Sequence, residues 1–301
     1  MVQVVGPPSD GGIETIKEVI HVFDYIVVGA GSAGCVMAAR LAGAHRVLLI
    51  EAGRANPAWD FRLHMPAALS EVLTSKRYNW AFETEPEPFL GQRNLYCPRG
   101  KVVGGSSSIN GMIFVRGHAE DFNRWSEVYG ASGWSYQDVL PFFKASETKA
   151  GGDPDYRGHT GPLKITNGDT SSPLCQAWLE AGESLGFGRT PDFNGETQEG
   201  FGPFDRTVAD GLRQSVARAY LSPKNNLGLS GLTILTQAEV QHIAFDGDRA
   251  VGVQVLVNGR LKSFQASREI ILSAGAIKSP QVLMRSGIGS ESALKASGVG
   301  C

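Results

Sequence analysis

Residues 23–51 decide the fold, beginning Phe23-Asp-Tyr-Ile-Val-Val-Gly29-Ala-Gly31-Ser-Ala-Gly34 and ending Arg46-Val-Leu-Leu-Ile-Glu51. The apolar, β-branched runs at 23–29 and 46–51 are typical of strands that are buried on both faces. Small residues fill 33–43 and predict a helix that packs closely against those strands. Together these segments form a βαβ unit of about 30 residues.

The glycines between the first strand and the helix predict a dinucleotide site. Gly29 permits a tight turn, Gly31 lets the backbone approach a pyrophosphate, and Gly34 lets the helix pack on the strand. Phosphates would lie at the helix N-terminus, beside Ser32, where free N–H groups favour anions. Glu51 could accept hydrogen bonds from ribose hydroxyls. The alternative is a glycine-rich turn with a surface glutamate, and this unit does not choose between NAD and FAD.

A second glycine-rich turn lies in residues 99–117, Arg-Gly-Lys-Val-Val-Gly-Gly-Ser-Ser-Ser-Ile-Asn-Gly-Met-Ile-Phe-Val-Arg-Gly. Gly104 and Gly105, followed by three serines, offer backbone N–H groups and hydroxyls within one short turn. Such a turn could cradle phosphate and the edge of a flavin ring. Taken alone, it could also be a serine-capped helix start.

These segments resemble the glucose-methanol-choline (GMC) family of flavin oxidoreductases. The first GMC signature matches at Gly100-Lys101, Gly104-Gly105, Asn110, Phe114, Gly117 and Asn123. The second matches along Gly275-Ala-Ile-Lys-Ser-Pro-Gln-Val-Leu-Met-Arg-Ser-Gly-Ile-Gly289. The similarity runs from about residue 23 to 300, and it also includes residues 78–86, 192–200 and 213–221.

The resemblance implies an α/β fold with a doubly wound, Rossmann-like FAD-binding domain. We expect that domain at 23–160 and 236–301, interrupted at 161–235 by part of an α+β substrate domain, after a flexible leader over 1–22. The implied reaction is oxidation of the CH–OH group of a primary alcohol (choline-like, aliphatic or aromatic), with hydride transfer to flavin N5. The chain looks most like choline-dehydrogenase-like and bacterial alcohol dehydrogenase members. That likeness favours a quinone or dye acceptor over oxygen.

The resemblance also implies which residues contact FAD. Val240 resembles the residue whose backbone meets the adenine, although an ordinary strand valine is the alternative. Trp80 would cover the adenine side, or else is a core or interface residue. Choline oxidases carry a histidine bonded to FAD where this chain has Ile109, so FAD should be bound non-covalently. The expected cofactor contacts are Gly29, Gly31, Ser32, Gly34, Glu51, Ala52, Trp80, Val103, Gly104, Ser107, Asn110, Gly111, Met112, Ile113, Val240, Ala274 and Gly275.

No residue of this chain is expected to be the catalytic base. In the family that base is a histidine near the C-terminus of a much longer chain, beyond the position of Cys301. His118 follows the first signature and is interpreted as structural. The chain thus looks truncated and inactive as given. The alternatives are a non-catalytic FAD-binding fragment and an NAD-dependent Rossmann dehydrogenase, which would explain only residues 23–51.

Composition and net charge argue against several other classes of protein. A net charge of -2 gives no electrostatic case for binding nucleic acid. No apolar run approaches the roughly 18 residues of a membrane span, and the first residues do not resemble a signal peptide. Four cysteines without a CxxC and six scattered histidines predict free thiols and no metal site. We expect a cytoplasmic location, with peripheral attachment at the inner membrane as the alternative.

Periodicity and turn residues predict the remaining elements. Residues 54–98 are expected to be irregular. Helices are expected at 119–130, 135–148 (capped by Ser135), 173–186 and from about 279, and strands at 232–242, 250–257 and 269–274.

Overall fold

The computed structural model describes residues 3–5, 21–222 and 228–298. Their contacts divide the chain into two compact units, Met1–Ile109 with Ser215–Cys301, and Asn110–Gln214. The helices are α1 (Ser32–Leu41), α2 (Phe61–His64), α3 (Leu69–Thr74), α4 (Ala119–Glu127), α5 (Tyr136–Ser146), α6 (Pro173–Ser184), α7 (Val216–Tyr220), α8 (Gly275–Arg285) and α9 (Glu291–Ala296). The strands are β1 (Gln3–Val5), β2 (His21–Val28), β3 (Val47–Ile50), β4 (Phe82–Glu83), β5 (Tyr96–Cys97), β6 (Ile113–Phe114), β7 (Glu147–Lys149), β8 (Leu163–Ile165), β9 (Asp205–Arg206), β10 (Val208–Ala209), β11 (Leu212–Arg213), β12 (Leu232–Leu235), β13 (Ala238–Asp246), β14 (Arg249–Val257) and β15 (Arg260–Leu272).

The first unit contains a seven-stranded sheet in the order β1-β12-β3-β2-β15-β14-β13. The strands from β1 to β15 in this order pair in parallel, whereas β14 is antiparallel to both of its neighbours. The chain leaves β2 through α1 to β3 on one side, and β15 lies on the other side of β2. The carboxyl end of β2 is therefore a topological switch point, where ligands of open α/β sheets bind.

Aliphatic side chains of the central strands form the core of this unit. Ile26, Val27 and Val28 of β2 and all four residues of β3 are at most 3% exposed. Burying each such side chain contributes roughly 1.5–3 kcal/mol. Small side chains of α1, including Ala38 and Ala39, are buried as well, so the helix can lie close to the sheet.

The second unit has an ionic interior. Arg157 of this unit has a fully buried side chain, which donates to Glu147 Oε1 at 2.8 Å, Asp192 Oδ1 at 2.7 Å and Asp205 Oδ2 at 2.6 Å. Lys149 pairs with Asp205, and another buried arginine, Arg116, pairs with Glu147 at 2.9 Å. Within this cluster of Arg116, Glu147, Lys149, Arg157, Asp192 and Asp205, each charge has an opposite partner, so the cluster can be accommodated. Removing one member of such a cluster typically costs about 3–5 kcal/mol.

The structure confirms the predicted α/β class and the βαβ unit at the N-terminal end of the similarity, and Ser135 caps α5. Three predicted boundaries are wrong. The strand expected at 232–242 is two strands, because Gln237 adopts a positive φ of 55° between β12 and β13. The strand expected at 269–274 begins at Arg260, because its first half is a solvent-exposed hairpin partner of β14. The helix expected from 279 begins at Gly275.

Two other expectations differ from the observed chain path. Residues 54–98 are not wholly irregular, since they contain α2, α3 and the β4–β5 pair. Of the expected flexible leader, Gln3–Val5 forms an edge strand beside β12 and His21 begins β2. Residues 1–2 and 6–20 lie outside the described residues. The boundaries 161–235 for a substrate domain remain a prediction, beside a compact unit that spans Asn110–Gln214.

Candidate nucleotide-binding site

A cavity of about 540 Å³ lies in the first unit, at the carboxyl ends of β2, β3 and β15. Its lining includes the Gly29–Ser32 turn, the first turn of α8, and the aromatic side chains of Trp80 and Phe82. This volume falls within the range of small-molecule sites. The cavity therefore lies where the sheet topology predicts a ligand.

The three glycines of the first turn serve different purposes. Gly29 has a φ of +95°, and a Cβ there would lie 2.7 Å from the Ser273 carbonyl oxygen. A Cβ on Gly34 would lie 1.9 Å from the Gly29 carbonyl oxygen. Gly31 has an ordinary φ of −73°, and its added Cβ would meet only the Ser273 oxygen, at 3.9 Å. Folding thus requires glycine at 29 and 34, whereas at 31 glycine only leaves the cavity open.

The N-terminus of α1 lines the cavity, through Gly31, Ser32 and Ala33. Gly31 is its N-cap and supplies no side-chain cap, so the N–H groups of the first turn lack a capping acceptor from the helix. The second glycine turn supports this region. The Gly104 amide donates to the Ala30 carbonyl oxygen at 2.7 Å, and a Cβ on Gly105 would lie 2.6 Å from Gly31 Cα. Both glycine-rich motifs therefore meet at the same helix start.

Glu51 is a buried carboxylate at the end of β3. Its Oε2 accepts from the Ala30 amide at 3.0 Å and its Oε1 from the Gly53 amide at 2.8 Å. Burial raises the pKa of Glu51 to about 7, although these two amides and the positive charge of Lys101 oppose the shift. Each oxygen keeps a second lone pair, so the group can still accept a ligand hydroxyl.

Trp80 forms an aromatic and cationic wall of the cavity. Its ring stacks on Phe82 with centroids 5.8 Å apart. The ammonium groups of Lys101 and Lys278 lie 4.2 Å and 4.1 Å from the Trp80 centroid, which is cation–π geometry. Lys278 also pairs with Glu239 at 3.1 Å. The wall thus combines a flat ring with positive charge, which suits an anionic nucleotide.

The structure brings many of the predicted contact residues together. Those that line the cavity are Gly29, Gly31, Ser32, Glu51, Ala52, Trp80, Val240, Ala274 and Gly275. Four others support the same unit without lining the cavity: Gly34, Val103, Gly104 and Ser107. Val103, for example, donates its amide to the Arg54 carbonyl oxygen at 2.9 Å. The remaining four, Asn110, Gly111, Met112 and Ile113, belong to the second unit.

Sequence reasoning missed several cavity residues. Lys278 lies within the second signature and Ser273 directly precedes a predicted contact, so both could have been found from their positions. Phe82 and Arg99 also line the cavity, but they come from a segment without a recognisable periodicity. The pairing of β4 with β5 and the hydrogen bond from the Trp80 amide to the Arg99 carbonyl oxygen, at 2.9 Å, bring the two segments together.

Two groups outside the cavity that could in principle react, His118 and Cys35, have structural roles or are buried. The His118 ring caps α4, because Nδ1 accepts from the Glu120 amide at 3.2 Å. Burial raises the pKa of the Cys35 thiol, which disfavours a reactive thiolate. Within residues 3–5, 21–222 and 228–298, no histidine lines this cavity and no cluster of three possible metal ligands occurs. In the same residues, no helix is long and apolar enough to cross a membrane.

Several known proteins are similar to this chain in sequence or in structure. An Escherichia coli (strain SMS-3-5 / SECEC) oxygen-dependent choline dehydrogenase is 50% identical over 273 residues, covering 89% of this chain and 48% of that protein. Pyridoxine 4-oxidase from Mesorbium loti has a TM-score of 0.86 and 37% identity, covering 92% of this chain and 54% of that chain. An Aspergillus oryzae formate oxidase, determined to study FAD modification, has a TM-score of 0.83 and 28% identity, covering 94% and 50%.

The chain spans about half the length of the curated relatives it matches. The GMC oxidoreductase family model matches residues 23–301. That range includes both glycine-rich turns, the cavity and the second unit. The chain belongs to the GMC oxidoreductase family.

Proposed function

We propose that this chain binds FAD non-covalently and serves as the FAD-binding portion of an oxidoreductase acting on a primary alcohol. The observation that carries the proposal concerns Gly31. The protein's own packing would allow a side chain at this position, but a side chain there would occupy the cavity. FAD is supported as the cofactor by the family and by FAD-containing structural neighbours. An NAD-dependent enzyme would explain the βαβ unit but not a family match over 23–301.

The residues of the first unit fit such a cofactor. The N–H groups at the start of α1 would hold the pyrophosphate, and the Glu51 carboxylate would accept from a ribose hydroxyl. Trp80 and the Val240 backbone would lie beside the adenine. We further propose that residues 110–113 lie along the cofactor. The flavin would accept the hydride from the alcohol carbon. The residues of this chain would bind the flavin and orient it.

The similarity to family members also suggests the class of substrate and of electron acceptor. The relatives named oxygen-dependent choline dehydrogenase favour a choline-like alcohol. We propose a primary alcohol as the substrate, with a quinone, dye or oxygen as the acceptor. The domain boundaries 23–160 with 236–301, and 161–235, stay part of this proposal. So does a cytoplasmic location, with or without attachment at the periphery of the inner membrane.

Titration with FAD and with NAD tests the cofactor assignment. We expect the purified chain to bind FAD in isothermal titration and to show a protein-bound flavin spectrum, with no heat from NAD at the same concentrations. ADP should compete with FAD, since the cavity of the first unit contains the proposed phosphate and ribose contacts. Binding of NAD without binding of FAD would contradict the proposal.

We expect acid to release the flavin completely. Ile109 stands where covalent members carry histidine, and its side chain is 1% exposed within an aliphatic cluster with Leu63, Val72 and Val102. It has no nucleophilic atom. After precipitation with acid and centrifugation, the yellow colour should appear in the supernatant. Flavin that remains in the pellet would indicate a covalent link to another residue.

We expect FAD to bind more tightly as pH rises through about 7. A ribose hydroxyl donates to the carboxylate form of Glu51, so binding favours ionisation and releases a proton below the pKa of about 7. One released proton changes affinity by at most about tenfold per pH unit, and we expect about a tenfold gain from pH 6 to pH 8. Titration at several pH values measures this gain.

Glu51→Ala is the matched control for the pH series. It should weaken FAD binding at pH 8 by roughly 1–3 kcal/mol, the scale for a lost hydrogen bond to a charged group, and flatten the pH dependence. In the unliganded protein, the folding stability changes with pH in the opposite direction to the affinity for FAD. The raised Glu51 pKa contributes stability below the ordinary value of 4.5, and that contribution is lost as pH rises through about 7. A pH dependence that persists in Glu51→Ala would assign it to another group.

A further inference from the structure

Lys278 and Glu239 form an ion pair on the wall of the cavity in the first unit. The Lys278 Nζ lies 3.1 Å from Glu239 Oε1, and both residues line the cavity. Their side chains are 16% and 33% exposed. An ammonium group has three N–H groups and a carboxylate has two oxygens, so each partner retains capacity for a ligand. The cavity wall therefore carries a charged donor and a charged acceptor side by side.

The ammonium group of Lys278 lies where its own helix does not favour a positive charge. Lys278 belongs to the first turn of α8, which begins at Gly275, and the dipole at a helix N-terminus favours anions instead. Glu239 and the face of the Trp80 ring, whose centroid is 4.1 Å away, hold the ammonium group there. A partly exposed ion pair of this kind adds little to stability. The position of Lys278 is therefore better explained by a ligand of the cavity than by the needs of the helix.

The contact between Lys278 and Trp80 limits how a nucleobase can pack on this wall. Phe82 stacks on Trp80, and the ammonium groups of Lys101 and Lys278 both lie over the Trp80 ring. Of these two lysines, Lys278 lines the cavity and Lys101 does not. A base that lies beside Trp80 within the cavity therefore lies next to Lys278, and with it next to Glu239.

The N7 edge of adenine matches such a pair of groups. Adenine presents there the N7 acceptor beside the N6 amino donor, whereas guanine presents two acceptors, N7 and O6. Hypoxanthine has the same two acceptors as guanine on this edge. A carboxylate accepts from an amino group but repels a carbonyl oxygen, so Glu239 can separate these bases. Lys278 can donate to N7 in all of them.

We propose that Glu239 and Lys278 determine the preference of this cavity for adenine, with Glu239 accepting from the N6 amino group and Lys278 donating to N7. This inference rests on the proposed function, in which the adenine of FAD lies beside Trp80 and Val240. All four residues line the cavity of the first unit. The base specificity thus lies in two side chains of β13 and α8.

Isothermal titration with ADP and IDP tests this preference without the flavin. The two nucleotides differ in the base alone. The parent chain should bind ADP at least about tenfold more tightly than IDP, the scale of one hydrogen bond to a charged group. Glu239→Gln should reduce this ratio to below about threefold, because a glutamine amide can either accept from N6 or donate to O6. Lys278→Met should weaken the binding of both nucleotides about tenfold and keep the ratio, because N7 is common to both bases.

Lys295→Met and Glu291→Gln are the matched controls, since these residues form an exposed ion pair in α9 and neither lines the cavity. Both variants should keep the parent's affinities for ADP and IDP. Equal affinity of the parent for the two nucleotides overturns the inference, and so does a Glu239→Gln variant that keeps the parent's ratio. If Glu239→Gln does not fold, Lys278→Met decides, and unchanged ADP affinity in it overturns the inference.

The same titrations separate this inference from the proposed function. A parent chain that binds FAD but does not discriminate ADP from IDP overturns the role of Glu239 and Lys278 alone. A parent chain that binds neither FAD nor ADP overturns the proposed function, and the adenine preference with it.

Discussion

Gly31→Val is expected to abolish measurable FAD binding while leaving the chain folded. The backbone at Gly31 is extended, with φ −73° and ψ −166°, a conformation that β-branched residues favour. The protein offers no obstacle to a Cβ there, since the nearest atom is the Ser273 oxygen at 3.9 Å. The valine methyl groups would instead fill the cavity beside the α1 N-terminus. Isothermal titration should show at least a 100-fold loss of affinity, or about 2.7 kcal/mol.

Two other glycines provide controls for this substitution. Gly43 is exposed, and a Cβ there would be 3.7 Å from its nearest atom, the Gly228 oxygen. Gly43→Val should therefore keep both the fold and the affinity for FAD. Gly34→Ala should instead destabilise the chain itself, because the new Cβ would overlap the Gly29 carbonyl oxygen. Unchanged FAD affinity in Gly31→Val would remove the dinucleotide assignment, and loss of its circular dichroism melting transition would show that Gly31 is needed for folding.

We expect the 301-residue chain loaded with FAD to oxidise no alcohol at a measurable rate. Removing the hydroxyl proton requires a positioned base, which contributes about 10²–10⁴-fold. The family resemblance assigns that base to a position beyond Cys301. Within the described residues no histidine lines the cavity, and His118 is engaged in capping α4.

Dye reduction with choline, hexanol and benzyl alcohol measures this activity. The full-length choline dehydrogenase relative from Escherichia coli, assayed in parallel, provides the positive control. Turnover above roughly 1 s⁻¹, within the usual range of enzymes, would show that residues 1–301 already contain a base. His118→Ala would then be the first variant to prepare, because this histidine directly follows the first signature.

The sequence predicts the centre of the sheet well and its edges poorly. The runs around Ile26 and Leu48 are apolar throughout, so they can only be strands or core helices, and their length favours strands. The break between β12 and β13 at Gln237 contains no glycine or proline from which it could be predicted. It exists because the Gln237 amide donates to the Gly53 carbonyl oxygen at 2.8 Å, a contact between distant segments. Pro280 is equally misleading: it suggests a helix start, yet lies inside α8.

The cavity can be predicted only as far as its motifs extend. The spacing of Gly29, Gly31 and Gly34 indicates a tight turn between a strand and a helix, and this can be recognised from a single sequence. The pairing of the Glu51 carboxylate with the Ala30 and Gly53 amides depends on how β3 ends relative to β2. Likewise, nothing in the local sequence of Lys278 reveals that its ammonium group pairs with Glu239. Such tertiary relations need coordinates, because chain-distant groups decide them.

Trp80, whose ring lies within cation–π distance of the Lys101 and Lys278 ammonium groups, makes this cavity observable by fluorescence. The chain has five tryptophans; Trp80 lines the cavity, whereas Trp59 of the same unit is 73% exposed. The others, Trp125, Trp134 and Trp178, belong to the second unit. Replacing those four by phenylalanine would leave a single indole emitter at the cavity wall. Its fluorescence, quenched by an entering flavin, would report occupancy in real time, without a label and without any turnover.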